Sequence, residues 1–600
     1  RRPPRSTLFP YTTLFRSFVG AWIALVLFGV VGVIVAVGLV VGMHGTDEVA
    51  SVKKHSILTL ELSGSIVESE TPSSINYTAL MSGGIEKPQT LNVIVEGLKE
   101  GADNKNIDAL YIKCGAALAS PATFNAIREA VKEFKKTGKK VYAYGDVYTL
   151  GTYYVASVSD KIFLNPYGEI AIQGLGSTSM YLKGLFDKLG VEFQVVKVGT
   201  FKSAVEPYIS TQMSEPARAQ LDTLFSTMWD FMKDGICDNR KKLSGSEIDS
   251  LVNNGLMFST ADFAAESGFV DEVVYERVMD ERLAKLIDVD KKKLNFVSPS
   301  TLIGLLPWTD AYSSKNNIAV LYATGEIVDG ASTGINYQKL VPIITQLADD
   351  DKIKGLVLRV NSPGGSAFGS DQIGEALDYF QSKKKPLAVS MGDYAASGGY
   401  WISCGADRIF ADPLTITGSI GIFGLIPNVK GLSDKLGINP QSVSTNPAAD
   451  FPTLFTPMDE KQLSIMQKYV ETGYDRFIKR VATGRKMTEA KVRQIAEGRV
   501  WNAMKAKEIG LVDELGSLKD AIEWTAKKAD IYSKYDVSVY PVYEPSFWDV
   551  ISMGDIEAVR MMKAVSDGDF DEAGMHIAMK ILSRSRILAR MPEFEVTLGN

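Results

Sequence analysis

From Phe18 to Met43 the chain runs "FVGAWIALVLFGVVGVIVAVGLVVGM", 26 residues without a charge. About 20 helical residues cross a bilayer core, so this stretch predicts an uncleaved membrane-spanning anchor. Beyond it the pattern changes. Short β-branched runs such as "NIAVLYA", "IKGLVLRV" and "PLAVSM" read as buried strands. Between and after them, "GSDQIGEALDYFQSKK" and "DEKQLSIMQKYVETGYDRFIKRVA" repeat apolar residues at helical spacing. Alternation of this kind predicts an α/β fold with mostly parallel sheet and helices packed outside it. Near the C-terminus, Phe570–Met591 mixes apolar and basic positions at helical spacing and predicts a packed surface helix.

The same pattern occurs twice. "GLFDKLG" (Gly184–Gly190) returns as "GLSDKLG" (Gly431–Gly437). The identical offset sets "YGDVYTLGTYYVASVSDKIFLNP" (Tyr144–Pro166) against "MGDYAASGGYWISCGADRIFADP" (Met391–Pro413). "ILTLELSGSIVE" (Ile57–Glu68) resembles "IAVLYATGEIVD" (Ile318–Asp329), and "ESGFVDEV" resembles "EIGLVDEL". Collinear matches over such a length mean two copies of one fold, residues 56–275 and 317–525, joined by a charged linker at 276–316. Residues 526–600 form a tail. Residues 1–17, "RRPPRSTLFPYTTLFRS", do not begin with Met and repeat "TLF", and read as a non-native leader outside the fold argument. Taken at face value, arginines 1, 2, 5 and 16 would keep the N-terminus cytoplasmic and put everything after residue 45 across the membrane.

Composition narrows the chemistry. Net charge is −6, which gives no basic surface for nucleic acid. Three scattered cysteines provide neither a disulfide framework nor a zinc site, and no phosphate loop or dinucleotide fingerprint implies a cofactor. The three histidines, His44, His55 and His576, all lie outside the long middle of the chain. A Ser-His-Asp triad is therefore excluded there, and any serine nucleophile needs another base.

Comparison of the copies supplies one. In "MGDYAASGGYW", Ser397 sits among small residues at a strand-to-helix turn, and its counterpart in copy one is Leu150. The "NSPGGS" loop, Asn361–Ser366, faces "GAALAS" without paired glycines. In the other direction, Lys202 of "VGTFKSAVEP" faces Ala449 in copy two. One copy keeps a serine and the other a lysine, so packing them together would complete one site. The lysine must be neutral to act as a base, which apolar burial by Phe201, Ala204 and Val205 favours, provided Glu206 points elsewhere. Gly365 and Gly398 are the expected oxyanion-hole donors. Ser419 of "TGSIGIFG", opposite Ile172, is positioned to orient the lysine.

Together, the anchor, the tandem repeat, "VGTFKSAVEP", "RVNSPGGS", "MGDYAASGGYWIS" and "TGSIGIFG" resemble the signal peptide peptidase A family in its long duplicated bacterial form. The resemblance implies tandem Clp/crotonase-like domains of ββα superhelical units. It implies a serine endopeptidase with Ser397 as nucleophile, Lys202 as general base and Ser419 orienting the lysine. It further implies cleavage of released signal peptides and other apolar peptides at the outer (periplasmic) face of the cytoplasmic membrane, by a homotetramer. Two other classes stay open from sequence. A crotonase-type acyl-CoA enzyme shares the paired-glycine loop, and an idle membrane scaffold would resemble copy one throughout.

Overall fold

A computed structural model of the chain describes residues 51–69, 88–305, 314–330, 334–446, 448–449, 451–541 and 587–590. The leader at 1–17 and the expected anchor at 18–43 lie outside them. Among the described residues no helix is long and apolar enough to cross a membrane.

The strands expected from continuous apolar runs form two equivalent sheets. In copy one, Ser56–Val67, Ile107–Leu118, Lys140–Thr149, Lys161–Ala171 and Glu272–Val273 pair in that order, all parallel. In copy two, Asn317–Thr324, Ile353–Ser362, Leu387–Ala396, Arg408–Ala411 and Glu514–Leu515 do the same. Helices cover these sheets, so central residues such as Leu356, Leu358, Val389 and Met391 are fully buried, as parallel strands usually are. Helix Ala367–Ser382, for example, buries Ile373, Leu377 and Phe380 along one stripe.

The structure departs from the sequence boundaries at both copy ends. Asn295–Val297, from the linker, lies parallel beside Ser56–Leu58. Asp536–Tyr540, from the tail, lies parallel beside Asn317–Leu321. Each copy thus continues past residues 275 and 525 to add a strand beside its own first one. The helix expected over Phe570–Met591 is also not what is found where the chain is described, because Ile587–Arg590 is a strand. Its partners are two other strands, whose ladder hydrogen bonds outweigh local helical spacing.

A third, mixed sheet joins the copies. Its order is Ile335–Asn336, Ile327–Val328, Gly364–Ser366, Ile587–Arg590, Ile422–Asn428 and Glu192–Val198. The last two strands come from different copies and pair antiparallel along their whole length, Ile422 opposite Val198 through Asn428 opposite Glu192. Phe186, Phe193 and Val205 of copy one and Phe423 and Leu425 of copy two share a small core beneath them. Polar contacts reinforce the junction. The Arg359 guanidinium donates to both oxygens of Glu68, at 2.7 and 2.9 Å, with both side chains buried. Thr123 donates to Asp393 at 2.8 Å, and Asn125 donates to Asp412 at 2.7 Å.

Candidate active site

Strand Leu387–Ala396 ends at Ser397, and helix Gly398–Ser403 begins immediately after it. Ser397 has φ 56° and ψ −116°, a conformation that L-residues rarely hold. Two hydrogen bonds fix it there. Its N–H donates to the Gly418 carbonyl at 2.8 Å, and its carbonyl accepts from Trp401 N–H at 2.8 Å. Gly399 allows the turn to pack closely, since a Cβ there would lie 2.7 Å from the Ser362 carbonyl oxygen. Copy one has no such elbow. Leu150 is there the first residue of an ordinary helix, capped by Thr149 with φ −72°.

The lysine arrives through the inter-copy ladder. Glu192–Val198, held against Ile422–Asn428, delivers the turn Gly199–Lys202 beside the elbow. Lys202 Nζ lies 2.8 Å from Ser397 Oγ, 3.0 Å from Ser419 Oγ and 3.1 Å from the Ser419 carbonyl oxygen. Lys202, Ser397 and Ser419 are all fully buried. Burial pushes the Lys202 ammonium well below its ordinary range. Glu206 is turned away: its carboxylate accepts from Ser214 N–H at 3.1 Å and from the Ser214 hydroxyl at 2.6 Å. A neutral amine matches the three contacts. With its two N–H bonds given to the oxygens of Ser419, such an amine would keep its lone pair for the Ser397 hydroxyl proton.

Ser419 also sits at positive φ, 51°, so its backbone turns both its carbonyl and its hydroxyl toward Nζ. The glycine pair follows strand Ile353–Ser362. Gly364 has φ 103° and Gly365 φ 148°, and a Cβ on Gly365 would lie 2.1 Å from the Ile327 carbonyl oxygen, so only glycine fits. Helix Gly398–Ser403, which starts with Gly398, packs against Gly364–Ser366 and also against Ile587–Arg590. The five residues singled out from sequence thus fall in one region where the copies meet. Among the described residues, no group of His, Cys, Asp and Glu side chains is arranged to hold a metal ion.

Sequence reasoning missed the strand Ile587–Arg590. Its backbone lies antiparallel to the glycine loop, with Gly365 opposite Ala589, and antiparallel to Phe423–Gly424 on its other side. An extended segment thus runs along the slot between those two strands. It also missed the carboxyl of Asp412, which burial pushes up to about 7. Neither belongs to a recognisable motif.

The family model described as "Peptidase family S49" matches residues 133–290 and again 379–532. Protease 4 of Haemophilus influenzae is 35% identical over 82% of this chain and 82% of its own length. The chloroplastic serine protease SPPA of Arabidopsis thaliana is 27% identical over 82% of this chain and 72% of its own. Among solved structures, ClpP1 of Listeria monocytogenes aligns with 34% of this chain and 94% of its own, at 15% identity and a TM-score of 0.22.

Proposed function

The chain belongs to peptidase family S49 and is a serine peptidase of the signal peptide peptidase A type, and from that premise we propose that it cleaves apolar peptides with a Ser397–Lys202 dyad. Family membership displaces the acyl-CoA enzyme and idle-scaffold alternatives. The observation that carries the dyad is the 2.8 Å approach of Lys202 Nζ to Ser397 Oγ in a fully buried setting.

In this reading Ser397 Oγ attacks the scissile carbonyl while the neutral Lys202 amine takes its proton. The N–H groups of Gly365 and Gly398 stabilise the oxyanion. The resulting ammonium, held by the two Ser419 oxygens, then protonates the departing amine. Water, deprotonated by the same lysine, releases the acyl group and regenerates Ser397. The substrate lies extended between Gly364–Ser366 and Ile422–Asn428, pairing through its main chain as Ile587–Arg590 does. Main-chain pairing reads shape and not sequence, which suits released signal peptides of varied composition.

The finer placement belongs to the same proposal: Clp/crotonase-like superhelical domains, anchored by residues 18–43 in the bacterial cytoplasmic membrane, acting as a homotetramer on its periplasmic side. Protease added to spheroplasts should then digest the large domains while the membrane stays sealed, and full protection would reverse the orientation. The dyad is tested by labelling with a fluorophosphonate. Wild-type protein should be modified at Ser397 alone, Ser397→Ala not at all, and Lys202→Ala only very slowly. Rapid labelling of Lys202→Ala would remove the lysine from the mechanism.

A further inference from the structure

Taking the Ser397–Lys202 reading as given, the loop Glu497–Trp501 of copy two has a part in it. This loop grips the turn that carries the lysine. The Glu497 carboxylate accepts the Thr200 N–H at 3.0 Å and the Thr200 hydroxyl at 3.2 Å, and the Glu497 carbonyl accepts Phe201 N–H at 2.9 Å. The Arg499 guanidinium lies between two rings, 4.9 Å from Phe201 and 4.4 Å from Trp501. The loop also holds the other wall of the site. The Arg499 carbonyl accepts Ser419 N–H at 2.7 Å, and Gly498 N–H donates to the Ile420 carbonyl at 2.9 Å.

Its backbone is shaped for this contact. Glu497 and Gly498 are consecutive residues at positive φ, 55° and 73°. A Cβ on Gly498 would come within 2.8 Å of both Lys202 N and Lys202 Cβ. A glutamate in the left-handed region persists only where its surroundings over-determine it, and here both lysine turn and serine turn do so. From copy one, the buried Gln220 side chain accepts Val500 N–H at 2.9 Å and ties the loop down from behind.

We propose that Glu497 and Arg499 are positioning residues: they hold the Lys202 and Ser419 turns at one separation and keep water from the amine. They act through Lys202 and Ser419. The charged groups in contact with the lysine turn are Glu497 and Arg499 on this loop, while Glu206 on the following helix is turned away and engaged by Ser214. With the turn released, water reaches Nζ and the protonated form gains solvation. The loop is then a determinant of the pH at which the enzyme works.

The test uses full-length Glu497→Ala, Glu497→Gln and Thr200→Val, with kcat and KM for a small apolar peptide substrate measured across pH, and thermal unfolding in parallel. Glu497→Ala is expected to lower kcat roughly tenfold or more, as misplacement of a catalytic group does. KM should stay within about twofold, and the rising limb should move to higher pH. Glu497→Gln keeps an oxygen that accepts both Thr200 donors, so it should hold the limb in place and retain most of the rate. Thr200→Val, which loses only the hydroxyl contact, should fall between them and decides the matter if Glu497→Ala does not fold. A limb unmoved in both Glu497→Ala and Thr200→Val, whatever the uniform change in rate, overturns the positioning role. Lys202→Ala separates the two levels: if it keeps the wild-type limb, the dyad reading has failed, and if it loses the limb while Glu497→Ala leaves it unmoved, only the positioning role has failed.

Discussion

Replacement of Ser419 by alanine removes one of the two acceptors that hold Lys202 and leaves its carbonyl in place. The lost contact is 3.0 Å long and fully buried, so no water substitutes for it. Leaving a buried donor unpaired costs about 1–3 kcal/mol, with the upper end applying when the donor is charged. In the proposed dyad the charge appears on Lys202 only after it takes the serine proton, so most of the loss should fall on the transition state. This corresponds to a drop in kcat of about 5- to 150-fold, with KM little changed. The rising limb should also shift to lower pH, because the ammonium has lost an acceptor while the neutral amine has lost less. The backbone needs a control, since Ser419 holds φ 51° and alanine inherits that strain. Glycine adopts the conformation freely, so Ser419→Gly should be more stable than Ser419→Ala by about 1 kcal/mol yet equally slow. Release of chromophore from an apolar peptide anilide gives the rates, and thermal unfolding gives the stabilities. Wild-type kcat in Ser419→Ala, or activity restored by Ser419→Gly, would refute the role of the hydroxyl.

Other perturbations test different parts of the structure. Ser397→Gly should abolish turnover and stabilise the fold by about 1–3 kcal/mol, because glycine relieves the strained elbow; equal or lower stability would show that the elbow stores no strain. Asp412, buried and raised to about 7, binds its proton more tightly folded than unfolded, where a carboxyl titrates near 3.9. Its stabilising effect is therefore complete below about pH 4 and lost as pH rises through about 7. Asp412→Asn should abolish that decline and be more stable at pH 8 by up to about 4 kcal/mol, as denaturant unfolding at several pH values would show. Removing residues 587–600 empties the slot beside Gly364–Ser366, so KM for peptides should fall; an unchanged KM would mean that substrate lies elsewhere.

The parts of this site that depend on the repeat were legible in the sequence, because the chain carries its own comparison. Ser397 against Leu150 and Lys202 against Ala449 each mark a group that one copy retains and the other lacks, and the structure brings the retained pair to 2.8 Å. The parallel sheets were legible for a different reason: strands buried on both faces must be apolar throughout. Periodicity reports burial but not the partner, so the ladder between Glu192–Val198 and Ile422–Asn428 had no signal. Glu497 had none either, since "AEGRVWN" reads as an ordinary polar loop and its function lies in two backbone angles. The strand at Ile587–Arg590 ran against its local pattern because its hydrogen-bond partners lie at least 160 positions away.

The central claim is that one catalytic site is built from two copies, with the base in the first and the nucleophile in the second. It is tested most directly by the rate of fluorophosphonate labelling at Ser397 as a function of pH, in wild-type protein, Lys202→Ala and Lys202→Arg. This readout isolates the first chemical step from peptide binding and product release. Wild-type labelling should rise with pH along a limb displaced below that of free lysine, as burial of Lys202 dictates. Both variants should lose the limb and label at a small fraction of the wild-type rate, arginine included, since a guanidinium stays protonated. A wild-type rate and limb in either variant would contradict the claim and place the base within copy two.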